Sequence, residues 1–131
     1  MNNRKRGNNF ELVIIKKLKE IGFNRAVSSR AESRQRDAAK VDICYVEPYN
    51  FQCKNVVGKL NYHEVLAEMP DEENNHNIVV HKMTYRTPAW RFHPIGTYAI
   101  LDFEDLLKII SKSRSLEQEV AGLRKIIDCQ T

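Results

Sequence analysis

Apolar residues recur along residues 8–22 with the spacing of one helical face, while lysine side chains fall on the opposite face. Gly22 follows, and glycine is the residue type that most often ends a helix. The preceding residues 1–7 are polar and basic, and we expect them to form a flexible arm. The apolar positions of this predicted helix are Phe10, Ile14, Ile15, Leu18 and Ile21.

Two short runs rich in β-branched and aromatic residues follow, at 41–46 and 51–56, and both predict strands. The four residues between them, at 47–50, have the composition of a turn. Residues 24–40 are polar and rich in serine and arginine, which predicts a short strand at 26–28 and then a mobile loop.

The second half of the chain predicts a helix, two strands and then two further helices. The predicted elements are a helix from Asn61 to Met69 with a capping box, a strand at 78–83, a basic and aromatic loop at 84–94, a strand at 97–103, a helix from residue 102 or 103, and a short amphipathic C-terminal helix at 113–131. The order predicts one α/β domain over residues 1–131, with a central mixed β-sheet flanked by helices.

Length and composition narrow the class of protein. A chain of 131 residues is long enough for one domain and too short for two. No apolar run approaches the roughly 20 residues of a membrane span, and the polar N-terminus is not typical of a secretory signal. Three cysteines without a CxxC pair argue against a disulfide framework and a structural zinc site. We therefore expect a cytoplasmic protein with no membrane partner.

Positive charge is concentrated in the first third of the chain. Residues 1–40 contain eleven Lys and Arg and four Asp and Glu, a net charge of +7, whereas residues 41–131 have a net charge of −3. This asymmetry favours a polyanionic partner, and a solvated basic face explains it equally well.

Glu11 lies inside the apolar arc of the first predicted helix, between Leu18 and Ile15 in angle. A buried carboxylate costs free energy unless a cation compensates it. One interpretation is a functional carboxylate; the other is a border residue that pairs with an N-terminal arginine, and the helix alone favours the second.

Asp42 and Lys54 are charged residues among the apolar neighbours of the two central strands. Gln52 and Lys54 share one face of their strand because side chains alternate. Asp42 joins them only if the connection is odd-numbered, such as 47–49, or contains a bulge. A four-residue loop would place the groups on opposite faces. The alternatives are a site for a divalent cation, which prefers oxygen ligands, and a buried ion pair across a hairpin.

The order of these features is more specific than any one of them. A basic start, a helix with Glu11, an Arg- and Ser-rich segment, Val41-Asp42-Ile43 and Phe51-Gln52-Cys53-Lys54 follow one another. Over residues 4–56 this resembles the archaeal and viral Holliday junction resolvases of the PD-(D/E)XK nuclease superfamily, with weaker agreement to about residue 110. The resemblance implies a restriction-endonuclease-like fold and a Mg²⁺-dependent endonuclease, with Mn²⁺ as a substitute, that hydrolyses phosphodiester bonds of branched DNA.

The resemblance assigns roles by position. Glu11 matches the helix carboxylate, Asp42 the main metal ligand, Gln52 the usual acid position and Lys54 the catalytic lysine; the metal shell would consist of Asp42, Glu11, Gln52 and the backbone carbonyl of Cys53. Gln52 is the departure, because the family usually has glutamate or aspartate there, although Mrr-type restriction nucleases have glutamine. We expect an amide oxygen to bind the metal more weakly than a carboxylate would.

Residues 24–40 offer further candidates. Asp37 is either a substitute carboxylate or a solvated charge, and Ser28 or Ser29 loosely matches the loop serine of the archaeal resolvases. Basic side chains on either side of the site would contact phosphates. The expected DNA-binding residues are Arg4, Lys5, Arg6, Arg25, Ser28, Ser29, Arg30, Arg34, Arg36, Lys82 and Arg86.

Two symmetric nicks in a junction require two active sites related by a two-fold axis, so we expect a homodimer. The C-terminal stripe is a candidate for dimerisation or for packing within one chain. The alternatives are a restriction-like or recombination-associated nuclease of the same fold, a DNA-binding module without activity, and an RNA-binding protein. The small size and the viral resemblance favour a phage or virus origin.

Overall fold

The structure is a computed structural model that describes residues 3–89 and 91–130. Met1, Asn2, Trp90 and Thr131 lie outside the described residues, so the ends of the predicted arm and C-terminal helix and part of the predicted 84–94 loop are not covered. The chain divides into two compact units, one that ends at Leu101 and one that begins at Asp102. The first is a mixed α/β unit that contains every candidate site residue.

The first helix, α1, spans Asn3–Glu20, so the prediction of a flexible arm is wrong for residues 3–7. Arg6 explains the difference. Its side chain is 8% exposed, its guanidinium lies 3.7 Å from the centre of the Phe92 ring, and it donates to Asn55 and Thr84 at 3.3 and 3.4 Å. Contacts with three residues far along the chain hold Arg6 in place. The basic residues at the start of the chain are therefore helical and not flexible.

The polar segment after α1 is folded as well. A strand, β1, spans Val27–Ser28 close to its predicted place, and two short helices, α2 (Ser29–Glu32) and α3 (Arg34–Ala38), replace the predicted loop. Ser33 caps α3, since its hydroxyl accepts from the backbone N–H of Arg36. A second short strand, β2 (Ile43–Cys44), then pairs with β1 in antiparallel fashion.

The main sheet has three strands in the order β3-β4-β5, with β3 and β4 parallel and β4 and β5 antiparallel. The helix α4 connects the parallel pair and begins after Asn61, whose side chain accepts from the Glu64 N–H as predicted. Strands β4 and β5 run further into the predicted 84–94 loop than expected. The elements are β3 (Tyr49–Val57), α4 (Tyr62–Ala67), β4 (His76–Arg86) and β5 (Phe92–Ile100).

Both faces of the parallel pair are covered. Phe10, Ile14 and Ile15 of α1 belong to a cluster with Ile78 and Val80 of β4, and alternate residues of β3 pack against it. Val79 faces the other way and packs with Val65 and Met69. Strands buried on both faces are typical of parallel pairs joined by a helix. The expected mixed sheet flanked by helices is therefore present as a three-stranded sheet.

The second unit is one continuous helix, α5 (Phe103–Gln130), where two helices were predicted. The side chain of Asp102 caps it by accepting from the Glu104 N–H at 2.9 Å. No residue of α5 is buried. Among the described residues, no helix is long and apolar enough to cross a membrane.

Replacing Arg6 with alanine should lower the free energy of unfolding by about 1–3 kcal/mol, because packing against Phe92 is lost together with one buried and one partly buried hydrogen bond. Chemical denaturation of the full chain measures this. Arg4→Ala, at an exposed position of the same helix, is the matched control and should change little. Equal stabilities of the two variants would contradict the structural role of Arg6.

Candidate metal centre

Asp42 is held at the open edge of β3 by three hydrogen bonds to the main chain. Its N–H donates to the Phe51 carbonyl at 2.8 Å, and its own carbonyl accepts from the Ser29 N–H at 2.9 Å. Its carboxylate oxygen Oδ2 accepts from the Cys53 N–H at 2.7 Å. Ser29, which is fully buried, also donates its hydroxyl to the Val41 carbonyl. The main chain on both sides of the carboxylate is therefore fixed.

The connection from β2 to β3 has four residues, as predicted, but it lies at 45–48 and not at 47–50. Tyr45 has a φ of 65°, and the Tyr49 N–H donates to the Val46 carbonyl at 3.0 Å, so β3 begins at Tyr49. Asp42 consequently aligns with residues 51–53 and does not lie opposite Lys54, so the odd-numbered connection that would place Asp42 on the face of Gln52 and Lys54 is not found. Its carboxylate nevertheless reaches the strand edge next to the Gln-Cys-Lys segment.

The electrostatic surroundings raise the pKa of Asp42 from 3.8 to about 6. Burial is the largest cause, and the hydrogen bond from the Cys53 N–H opposes it. The negative charges of Glu11 and Asp37 raise the pKa further, and the positive charge of Lys54 lowers it. Two further carboxylates and one ammonium, from α1, α3 and β3, therefore act on Asp42. A cation bound here would relieve the repulsion among the carboxylates.

Glu11 forms an ion pair with Arg30 of α2. Both Nε and Nη2 of the guanidinium donate to the same carboxylate oxygen, at 3.0 and 2.8 Å. Glu11 is 8% exposed, and the pair supplies the compensation that a buried carboxylate needs. The interpretation of Glu11 as a border residue expected an N-terminal arginine as its partner, and this expectation is wrong because the partner is Arg30. Arg30 was expected to contact DNA, and in this conformation it binds Glu11 instead.

Gln52 is 3% exposed, and its amide oxygen Oε1 has no hydrogen-bond partner among the described residues. A buried acceptor without a donor is rare and costs free energy. Lys54 lies on the same face of β3 and is half-buried. Because Gln52 and Lys54 pair with Val79 and His81, this is the α4 face of the sheet, whereas Glu11 belongs to α1 on the other face. Gln52 Oε1 is thus an oxygen for which a bound cation would be a suitable partner.

Cys53 contributes main-chain atoms instead of its thiol. Its side chain packs against the α1 cluster, and burial, with further effects from Asp42 and Glu11, raises the pKa of the thiol well above its usual range. The thiol therefore stays protonated and is a poor metal ligand. In an extended strand the N–H and C=O of one residue point to the same edge, so the Cys53 carbonyl faces the Asp42 side.

These groups fit a hard divalent cation only in part. Within residues 3–89 and 91–130, no group of three or more His, Cys, Asp and Glu side chains is arranged to hold a metal ion. The available oxygens at the strand edge are the Asp42 carboxylate and the Cys53 carbonyl, with Glu11 near enough to affect Asp42. The unpartnered amide oxygen of Gln52 lies on the α4 face of the same strand. Oxygen donors of this kind suit Mg²⁺, which keeps several waters and uses one or two carboxylates.

The expected DNA-binding residues divide into two groups. Some are exposed to solvent, at the start of α1 and along α3 among other places, whereas others are buried or paired within the unit. Arg4, Lys5, Arg25, Arg34 and Arg86 are exposed, and Lys82 is half-buried. Arg6, Ser28 and Ser29 are buried, so in this conformation they offer little surface for a direct DNA contact. Arg25 lies over the Tyr45 ring.

A polar cluster that the sequence did not reveal lies next to the site. Arg36 of α3 donates to both carboxylate oxygens of Glu72 at 2.9 Å and to the side chain of the buried Asn50 at 2.8 Å. Asn50 donates in turn to Glu72 and Asn77. Arg36 was expected to contact phosphates, and the structure gives it this internal role. Its partners lie 14 and 36 residues away, so no local spacing signals the cluster.

His81, to which the sequence assigned no catalytic role, is fully buried, with its Nδ1 3.0 Å from the Tyr62 hydroxyl. Burial lowers its pKa, which keeps the ring neutral. It is a core residue on the α4 side of the sheet.

Comparison with known proteins found no match to this chain. No protein-family model matches the chain, no curated protein matches it, and no solved structure matches it. The geometry described above is therefore what a functional interpretation depends on.

Replacing Asp42 with asparagine should raise the free energy of unfolding by about 1–3 kcal/mol above pH of about 7. The folded pKa, about 6, exceeds the ordinary 3.8, so ionisation destabilises the folded state, and wild-type stability falls as pH rises through this window. The gain should therefore disappear below pH of about 4, where the carboxyl is protonated in both states. Urea unfolding at several pH values measures it, with the exposed Asp71→Asn as control. A less stable variant at neutral pH would contradict the electrostatic interpretation.

Proposed function

We propose that this chain is a Mg²⁺-dependent endodeoxyribonuclease with a restriction-endonuclease-like fold. One observation carries the proposal: the Asp42 carboxylate is fixed against the Cys53 N–H, at the strand edge of a Gln-Cys-Lys segment, with Glu11 and Lys54 close enough to affect its pKa. The mixed sheet with helices on both faces agrees with such a fold. An aspartate at this place is costly for stability, which is typical of functional sites.

In the proposed mechanism, some residues bind the cation and Lys54 acts on the water and the phosphate. Asp42, the Cys53 carbonyl and Gln52 Oε1 would hold the cation, and Glu11 would do so through water or after release from Arg30. When bound, Mg²⁺ polarises a phosphoryl oxygen and lowers the pKa of a coordinated water. Lys54 orients the attacking water and stabilises negative charge that develops on the phosphate.

DNA is the proposed substrate because of where the exposed charge lies. Arg4 and Lys5 at the start of α1 and Arg34 of α3 belong to the same compact unit as Asp42. Basic side chains of this kind position a phosphate backbone without reading its sequence. The preference for branched DNA, a four-way junction above all, rests on the resemblance of residues 4–56 to the Holliday junction resolvases.

A DNA-binding module without catalysis is the second candidate. The ion pair between Glu11 and Arg30 favours it, because this pair occupies one of the two carboxylates that the metal would need. Gln52 favours it too, since an amide adds no negative charge. The two functions share the DNA partner and differ in whether metal leads to cleavage.

Cleavage of a labelled four-way junction, beside matched linear duplex and single strand, separates the candidates. We expect paired nicks in the junction with Mg²⁺ or Mn²⁺, none with EDTA, and a loss of about 100-fold or more in Asp42→Asn. This variant is expected to fold, and Asp71→Asn should keep full activity. Cutting of linear DNA would move the function to a general nuclease. Salt-dependent binding with no cutting under any metal would contradict catalysis.

Replacing Gln52 with glutamate should strengthen Mg²⁺ binding by about tenfold, because a third carboxylate joins the site. Isothermal titration calorimetry of metal without DNA, well above the pKa of Asp42, measures this directly. Gln35→Glu, an exposed substitution of the same type on α3, is the control and should leave the affinity unchanged. Unchanged or weaker binding by Gln52→Glu would place residue 52 outside the metal shell.

A further inference from the structure

The second unit exposes a long apolar stripe. The helix α5 has 28 residues, and none of them is buried. Leu116, Val120, Leu123 and Ile127 are 47–61% exposed, although all four are large apolar residues. A stripe of this kind in water is typical of an interaction surface.

The spacing of the stripe is that of a coiled coil. Its four residues follow one another at intervals of four, three and four, which places Val120 and Ile127 at heptad positions a, and Leu116 and Leu123 at positions d. β-branched residues at a, combined with leucine at d, favour two parallel strands over three or four. The stripe therefore indicates a single partner helix of the same direction.

The flanking charges indicate what the partner is. Lys112 and Glu119 occupy positions g, and Glu117 and Arg124 occupy positions e. In a parallel dimer each g residue faces the e residue five positions later in the other chain. Two copies of α5 would therefore pair Lys112 with Glu117 and Glu119 with Arg124, and every such pair is attractive. An antiparallel dimer keeps only the attraction between Glu117 and Arg124.

We propose that α5 pairs with α5 of a second copy of this chain as a parallel two-stranded coiled coil, with Leu116, Val120, Leu123 and Ile127 in its seam. The proposal does not rest on nuclease activity. It gives the chain a symmetric dimer whose two-fold axis runs along the coil.

Sedimentation equilibrium of the full chain tests the partner. The expected mass is twice the 15.3 kDa of one chain. Leu123→Asp should weaken association by about 100-fold or more, because two buried leucines are lost per dimer. Gln118→Asp, at the outward position f, should leave the mass unchanged. A monomeric wild type, or a dimer that survives Leu123→Asp, would overturn the proposal.

Charge exchange tests the direction of the helices. Lys112→Glu alone should weaken the dimer, and adding Glu117→Lys should restore it, because the parallel pair is rebuilt with its signs reversed. In an antiparallel dimer the second change would place an ammonium against the Arg124 guanidinium and weaken association further. Lys125→Glu, on the outward face, is the control of equal charge change and should have no effect.

Cross-linking gives an independent measure of direction. In a Cys129→Ser background, Leu116→Cys should form an intermolecular disulfide, since position 116 faces its own copy in a parallel dimer. An antiparallel arrangement of the same seam separates the two sulfur-bearing residues by roughly 16 Å along the axis. A dimer that does not cross-link would overturn the parallel arrangement. Both readouts are independent of cleavage, so failure of the nuclease proposal leaves them unaffected.

Discussion

The hydrogen bond from the Cys53 N–H to the Asp42 carboxylate is the contact around which the site is organised. It joins the segment before β2 to the edge of β3, and it offsets part of the cost of burying a charge. The main chain of Asp42 is held at the same time by Phe51 and Ser29. A carboxylate fixed on both sides is pre-organised, so little conformational freedom remains to be lost when a ligand binds.

The sequence pattern predicted correctly those features that depend on residues close together in the chain. The periodicity of α1, the cap at Asn61 and the alternation along β3 all appear in the structure close to their predicted places. The predicted start of α1 was wrong because Arg6 is held by contacts with Asn55, Thr84 and Phe92. No spacing of residues near position 6 reveals these contacts. Tertiary contacts of this kind regularly override the preferences of a short polar segment.

In the candidate site, too, some features could be predicted from the local sequence and others depend on distant contacts. Asp42, Gln52 and Lys54 could be selected from the sequence, since charged and amide groups among apolar strand residues need a reason. The register of β3 could not be predicted from the sequence. The chain turns at Tyr45, and β3 begins at Tyr49, which is earlier than the composition of the turn indicated. The ion pair of Glu11 with Arg30 was also hidden, because the partner lies in a segment that has no periodicity of its own.

The cluster of Arg36, Glu72 and Asn50 has a consequence for the segment that precedes Asp42. Arg36 accepts the Val41 N–H through its carbonyl and binds, through its guanidinium, a glutamate between α4 and β4. The approach to Asp42 is therefore tied to a segment that takes its place only after the βαβ crossover has formed. Contacts between residues so distant in sequence require the closure of a long loop. Loss of the contact between Arg36 and Glu72 would therefore loosen the segment before Asp42 without any change to the carboxylate itself.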